Sequence, residues 1–142
     1  MRSQASVEQV VAAVREFWKV FCSANPAALA DFYAPQAILF GIEGPRPEPV
    51  RLALARRQRE YFEHRAQLKV DLSLIEVQWL TASLALATYT LSFHASNVTL
   101  AGNRERDRLI PHGRATQIFE LGADGKLLIV HEHFSSADIR KE

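Results

Sequence analysis

Apolar residues recur at helical spacing in the first part of the chain and at alternating positions in the second. From Val7, the positions Val10, Val11, Val14, Phe17, Trp18 and Phe21 follow the i, i+3, i+4, i+7 rule. That spacing predicts an amphipathic helix over Val7–Ser23, bulky enough on one side to cover a sheet. Ser6 precedes it and Gln9 follows three residues later, the spacing of a capping box. Asn25-Pro26 is a second start signal, with Asn as cap and Pro in the first helical position. A short helix is expected from Pro26 to Tyr33, stopped by Pro35, and then a short strand, Ala37–Phe40. Gly41–Pro49, GIEGPRPEP, reads as a rigid loop: a plain connection or the rim of a pocket. Val50–Ala66 has a third helical pattern. Leu52, Leu54, Ala55, Gln58, Tyr61 and Phe62 make one partly apolar face. Arg51, Arg56, Arg57, Arg59 and Arg65, interrupted by Glu60 and Glu63, read as a solvated surface with local ion pairs.

The period then changes to two. Leu68, Val70, Leu72 and Leu74 alternate, but Ile75, Val77 and Trp79 continue on the other parity. One extra residue near Leu74-Ile75 explains the switch, and a β-bulge is the physical device. Leu84–Leu100 is a long strand, turned at Ala101-Gly102-Asn103. Glu105–Leu121 returns, with an irregularity at Pro111-His112-Gly113. Gly122–Gly125 has the residues of a tight hairpin turn, and Leu127–Ser135 closes the sheet. Helices first and strands last is the α+β arrangement. A bulged, bent antiparallel sheet wrapped around three helices makes a cone with an open mouth, in a single domain over residues 1–142.

The closing strand carries the candidate chemistry. Strict alternation places Leu127, Ile129, His131 and His133 on one face and Leu128, Val130, Glu132 and Phe134 on the other. Glu132 is a carboxylate inside an apolar strand, a costly placement unless it meets a partner. Facing a pocket, burial would raise its pKa and suit it to general acid/base work. The structural alternative is pairing with Arg114, another arginine or a backbone amide. A second subunit is the natural cover for an outer face carrying Leu127 and Ile129, so a homodimer through the outer sheet face is expected.

Composition narrows the classes. A chain of 142 residues, 48% hydrophobic, has the size and content of one folded domain. The net charge of +1 gives no general pull towards nucleic acid or membranes. The helical apolar patterns carry regular charges, so no membrane span is expected, and the N-terminus has no signal-peptide run. The single cysteine, Cys22, excludes an internal disulfide and fits a cytoplasmic setting. Its place on the apolar side of a helix end reads as core. No Gly-rich phosphate loop, Cys-x-x-Cys or Gly-x-Ser-x-Gly elbow is present, so neither nucleotide binding nor serine hydrolysis has support, and no cofactor is assigned.

Three segments together resemble the nuclear transport factor two-like superfamily, which includes SnoaL-like and ketosteroid isomerase-like domains. They are Arg114-Ala115-Thr116-Gln117-Ile118-Phe119 with Asp124-Gly125-Lys126, then Ile129-Val130-His131-Glu132-His133-Phe134-Ser135, and Asp31-Phe32-Tyr33-Ala34-Pro35 with Ala37. The nearest likeness is to the branch related to the association domain of calcium/calmodulin-dependent kinase II. The resemblance implies a conical α+β roll of cystatin-like type, a deep pocket between the concave sheet and the helices, and dimers or larger rings. It implies no one activity, since the same fold serves isomerases, cyclases, dehydratases, binding modules and scaffolds. In the association domain the closing strand supplies pocket residues at positions matching Glu132 and Phe134. Two arginines of that pocket match Gln117 and Thr90 here, which argues against an acidic ligand held by that pair. The aspartate base of ketosteroid isomerases falls near Gly41, with Glu43 the nearest carboxylate. Their first-helix phenol is replaced by Phe17 and Trp18, so steroid isomerisation is not expected.

Glu132 is therefore the catalytic candidate, and Gln117, on the neighbouring strand, is placed to orient a ligand carbonyl. Tyr33, Phe40, Tyr61, Phe119 and Phe134 are the candidate apolar lining, with Phe62 and Trp18 beside them. Tyr89 and Thr90 point to opposite faces of one strand, so one of them lines the cavity; Thr90 is the candidate. His131 and His133 share a face, as a metal pair would. A third ligand, His112 or His94, is not confirmed by any spacing, so no metal is assigned. The first reading is a pocket protein for an apolar or aromatic small molecule, with cofactor-free isomerase, cyclase or dehydratase chemistry on Glu132. The second is a non-catalytic ligand-binding or oligomerisation module. An open pocket with a free Glu132 favours the first; Glu132 locked to an arginine favours the second.

Overall fold

The computed structural model describes residues 6–23, 25–41, 46–62, 67–100 and 104–137. Two α-helices come first, α1 Val7–Cys22 and α2 Pro26–Ala30, and a third, α3 Val50–Arg57, follows two strands. The strands are β1 Tyr33–Phe40, β2 Glu48–Pro49, β3 Gln67–Trp79, β4 Leu84–Leu100, β5 Arg104–Leu121 and β6 Leu127–Ser136. They form one curved, unclosed sheet in the order β2-β1-β6-β5-β4-β3. All neighbours are antiparallel except β1 and β6. The α+β roll expected from the sequence is the fold observed. No described helix is long and apolar enough to cross a membrane.

Local chemistry sets the helix ends. The Ser6 hydroxyl accepts from the Gln9 amide, and the Gln9 side chain accepts from the Ser6 amide, so the capping box is closed. Asn25 caps α2 through Ala28. α2 is shorter than expected, because Asp31 and Phe32 turn the chain and Tyr33 already begins β1, with Pro35 inside that strand. α3 gives way after Arg57 to a π-turn over Gln58–Phe62. The buried side of this segment is Val50, Ala53, Arg57, Tyr61 and Phe62; Leu52, expected on the apolar face, is 51% exposed.

The bulge near Leu74 is present: β3–β4 pairing shifts between Ser73 and Glu76, and Leu74 takes a positive φ of 56°. A second shift spans Ile110 to Gly113 in β5, at the expected irregularity. Gly113 sits tightly there: a Cβ would lie 3.1 Å from the Leu91 side chain and 3.2 Å from its carbonyl oxygen. Gly125 closes the β5–β6 hairpin with a φ of 82°, where glycine has no steric cost.

A further bulge changes the closing strand. Ile118 pairs with His131 but Phe119 pairs with Ile129, so Val130 is the extra residue. The alternation therefore breaks at Val130. Ile129, Glu132 and Phe134 are all buried on the core side, and Leu127 packs against the same core. Leu127 and Ile129 are thus not on the outer face, and the expectation that they require a covering subunit is corrected. The expected turn at 101–103, Glu43, and residues 63–66 of the third helical pattern lie outside the described residues.

The core fills the concave side of the sheet. α1 contributes Val10, Val14, Phe17, Trp18 and Phe21, each at most 4% exposed. Phe17 meets Trp18, Phe32 and Tyr33 edge to face, at ring separations of 5.2–5.9 Å.

Candidate functional site

Among the described residues, three with polar or charged side chains are buried beside these rings: Arg57, Gln117 and Glu132. Arg57 ends the regular part of α3, four residues after Ala53 and four before Tyr61, on the inward stripe. Gln117 on β5 is the cross-strand partner of Glu132 on β6. The Val130 bulge turns Glu132 inward.

The Glu132 carboxylate receives donors from three sides. Arg57 Nη2 donates to Oε2 at 2.6 Å, and Gln117 Nε2 donates to Oε1 at 2.7 Å. The Tyr33 hydroxyl reaches both oxygens, at 2.8 and 3.0 Å, and itself accepts from Arg57 Nη1 at 2.7 Å. The chain continues outward: Gln117 Oε1 accepts from Tyr89 at 2.7 Å, and the Tyr89 hydroxyl accepts from Trp18 Nε1 at 2.8 Å. Every partner of Glu132 is a donor, an arrangement suited to a carboxylate anion. Arg57 is further enclosed by the rings of Phe21, Tyr33 and Phe134 at 5.7–6.0 Å. Burial works against the Arg57 charge, but Tyr33 and Glu132 outweigh it and hold its pKa above the ordinary value. Burial likewise pushes the Tyr33 and Tyr89 phenols well up, only partly opposed by Arg57 and Trp18.

Above this network lies a cavity of about 270 Å³. Trp18, Phe21, Leu91, Phe93, Ile110 and Phe134 form its apolar wall. Its polar wall includes Arg56, Arg57, Arg108, Arg114, Glu48, Glu60 and Tyr61. Gly41 and Glu48, both within the expected loop Gly41–Pro49, border it. Arg56 is ion-paired with Glu48 and lies 3.6 Å from Glu60. Arg108 lies 3.9 Å from Glu60 and donates to the Tyr61 hydroxyl. Arg114 has neutral partners, donating to Ser135 Oγ at 3.2 Å and to the Ser136 carbonyl at 3.4 Å.

Of the residues expected at the site, Tyr61, Phe134 and Trp18 line the cavity. Glu132, Gln117 and Tyr33 come together but beneath its floor, with no place in the lining. Phe119 is wholly core. Thr90 is on the opposite face, with its hydroxyl 2.7 Å from that of Ser73, because Tyr89 takes the inward position. Phe40 is also on that face, its ring 5.1 Å from that of His133. His131 lies there too, with Nδ1 2.9 Å from the Ile38 carbonyl oxygen. The partner of Glu132 is Arg57 rather than Arg114. Arg57 was hidden in a run of arginines; its four-residue spacing from Ala53 and Tyr61 was the available signal.

No protein-family model and no curated protein matches the chain. Among solved structures, the chain is similar to the calcium/calmodulin-dependent kinase II hub homology domain of Chlamydomonas reinhardtii, at 16% identity and a TM-score of 0.73, over 94% of this chain and 99% of that one. It is similar to a ketosteroid isomerase-like protein from Erwinia carotovora atroseptica, at 16% identity and a TM-score of 0.70, over 90% and 93% of the two chains. A protein with a cystatin-like fold from Caulobacter vibrioides aligns at 16% identity and a TM-score of 0.70, over 91% and 87%. These likenesses establish the fold, the one implied by the sequence resemblance.

Two outcomes are expected. Glu132→Gln leaves the Arg57 charge buried without its counter-charge and lowers stability by about 3–5 kcal/mol, measured by urea denaturation. Adding Arg57→Met recovers part of that loss; a single variant as stable as wild type refutes the closed pair. All three tyrosines have raised pKa values, burial being the main cause. The unfolded chain loses phenol protons near pH 10 while the native chain retains them. Their contribution to stability is thus complete below about pH 10 and falls as pH rises above it. Tyrosinate absorbance of the folded protein should rise at higher pH than that of the urea-unfolded chain.

Proposed function

We propose that the protein is a binding module whose cavity holds a compact, apolar-bodied molecule carrying one negative charge. The observation that carries this reading is the charge count at the cavity. Among the described residues, four guanidiniums, Arg56, Arg57, Arg108 and Arg114, stand against three carboxylates, Glu48, Glu60 and Glu132, an excess of one formal positive charge beside an aromatic wall. An aryl or alkyl carboxylate matches both features, with rings against Trp18, Phe21 and Phe134 and charge towards the arginines.

The floor argues for binding over chemistry on Glu132. A general base needs a lone pair directed at the substrate. Both Glu132 oxygens are engaged by donors, and Arg57 rather than Glu132 lines the cavity. The acid/base isomerase, cyclase or dehydratase reading requires that network to open. A homodimer remains part of the reading, with different residues under the partner: Ile38, 42% exposed, and the half-buried Ile118, Leu128 and Val130, none of them in the core.

Calorimetry with 2-naphthoate and its neutral analogue 2-naphthamide tests the binding reading. The carboxylate should bind about tenfold or more tightly, from a charged hydrogen bond of ~1.5–3 kcal/mol, and the advantage should shrink with added salt. Equal affinities, or no binding by either compound, overturn it. Solution mass by light scattering should be that of a dimer, and Ile38→Lys should shift it towards the monomer; a wild-type monomer removes the dimer from the reading.

A further inference from the structure

The π-turn over Gln58–Phe62 has a local consequence at the cavity. Its wider turn allows two consecutive residues, Tyr61 and Phe62, to point inward, 6% and 7% exposed. Phe62 packs on Phe21, with ring centroids 5.4 Å apart. Tyr61 lines the cavity and brings a hydroxyl with it.

The three tyrosines differ in how their hydroxyls are used. A phenol has one proton to donate and lone pairs to accept. Tyr33 accepts from Arg57 and donates to Glu132. Tyr89 accepts from Trp18 and donates to Gln117. Both are engaged in each direction and lie below the cavity floor. Tyr61 accepts from Arg108, which has no acceptor atom to return the bond, and among the described residues its hydroxyl has no other partner. The tyrosine that borders the cavity is therefore the one whose proton is uncommitted.

We infer that Tyr61 is the ligand's hydrogen-bond anchor, donating to a carboxylate oxygen, with Arg108 holding the phenol in place and supplying the neighbouring positive charge. This rests on the binding reading above and names the residue that selects for the acid group. Two features support the donor role. Burial raises the Tyr61 pKa, with Arg108 opposing, so the proton is retained at neutral pH. A guanidinium donating to the phenol oxygen polarises the O–H bond and strengthens its donation. Glu60, in the same π-turn, lies beside Arg108 rather than accepting from Tyr61.

The test compares wild type and Tyr61→Phe with two probes, 2-naphthoate and 2-methylnaphthalene, which lacks an acceptor. Phenylalanine keeps the ring contacts with Phe93 and Phe21. The expected result is a tenfold or greater loss of 2-naphthoate affinity with 2-methylnaphthalene unchanged. Equal losses for both probes overturn the inference, because Tyr61 would then act through packing. Unchanged 2-naphthoate affinity overturns it while leaving the binding reading intact. If wild type binds no 2-naphthoate, the binding reading fails and this inference with it. Should Tyr61→Phe not fold, the Tyr61 hydroxyl proton is followed by NMR in wild type. A downfield shift with 2-naphthoate but not with 2-methylnaphthalene supports the donor role, and no shift overturns it.

Discussion

An ion pair sealed inside an aromatic core is the constraint on which this molecule depends. Arg57 and Glu132 are 4% and 0% exposed. Each charge alone would cost several kcal/mol to bury. Both are tolerated because the groups around them are matched donor to acceptor, from Trp18 through Tyr89 and Gln117 to Glu132, Tyr33 and Arg57. These residues come from α1, β4, β5, β6, β1 and α3. The network therefore fixes the relative placement of six elements, and a half-satisfied version would be worse than an apolar core.

This arrangement divides the cavity into two kinds of surface. Its floor is held by short bonds among buried side chains, so its shape is fixed by the fold itself. Its polar wall joins Arg57, held by that floor, to the less deeply buried Arg56, Glu48, Glu60 and Arg108 and to Arg114. Of these, Arg114 is exposed. Shape is thus set by the floor and charge by the wall.

Features decided by local chemistry were legible in the sequence. The Ser6–Gln9 box, the Asn25-Pro26 start, the parity switch at Leu74-Ile75 and the hairpin at Gly125 each leave a signature within a few residues. The bulge at Val130 leaves none. Leu127, Leu128, Ile129 and Val130 are all apolar, so no polar residue marks where one face becomes the other. The assignment of Leu127 and Ile129 to the outer face failed for that reason. Glu132 was recognisable as a buried carboxylate in need of a partner, but its partner was not. Arg57 sits among arginines that do face solvent, and only long-range packing distinguishes it from Arg51 and Arg59. Thr90 and Phe40 were misplaced because cavity-facing and outward-facing positions alternate, and chemistry alone does not say which is which.

The Leu74 bulge bears on how the molecule avoids its own kind of error. An unclosed sheet has two borders with unpaired backbone groups, each a template for a stray strand. At one border stands β2, only two residues long. At the other stands β3, thirteen residues long and far more inviting. The positive φ at Leu74 interrupts that border near its middle, leaving two short runs offset by one residue in register. The irregularity that bends the sheet around its cavity also denies an incoming chain a continuous register, so curvature and resistance to fibrous stacking come from the same extra residue.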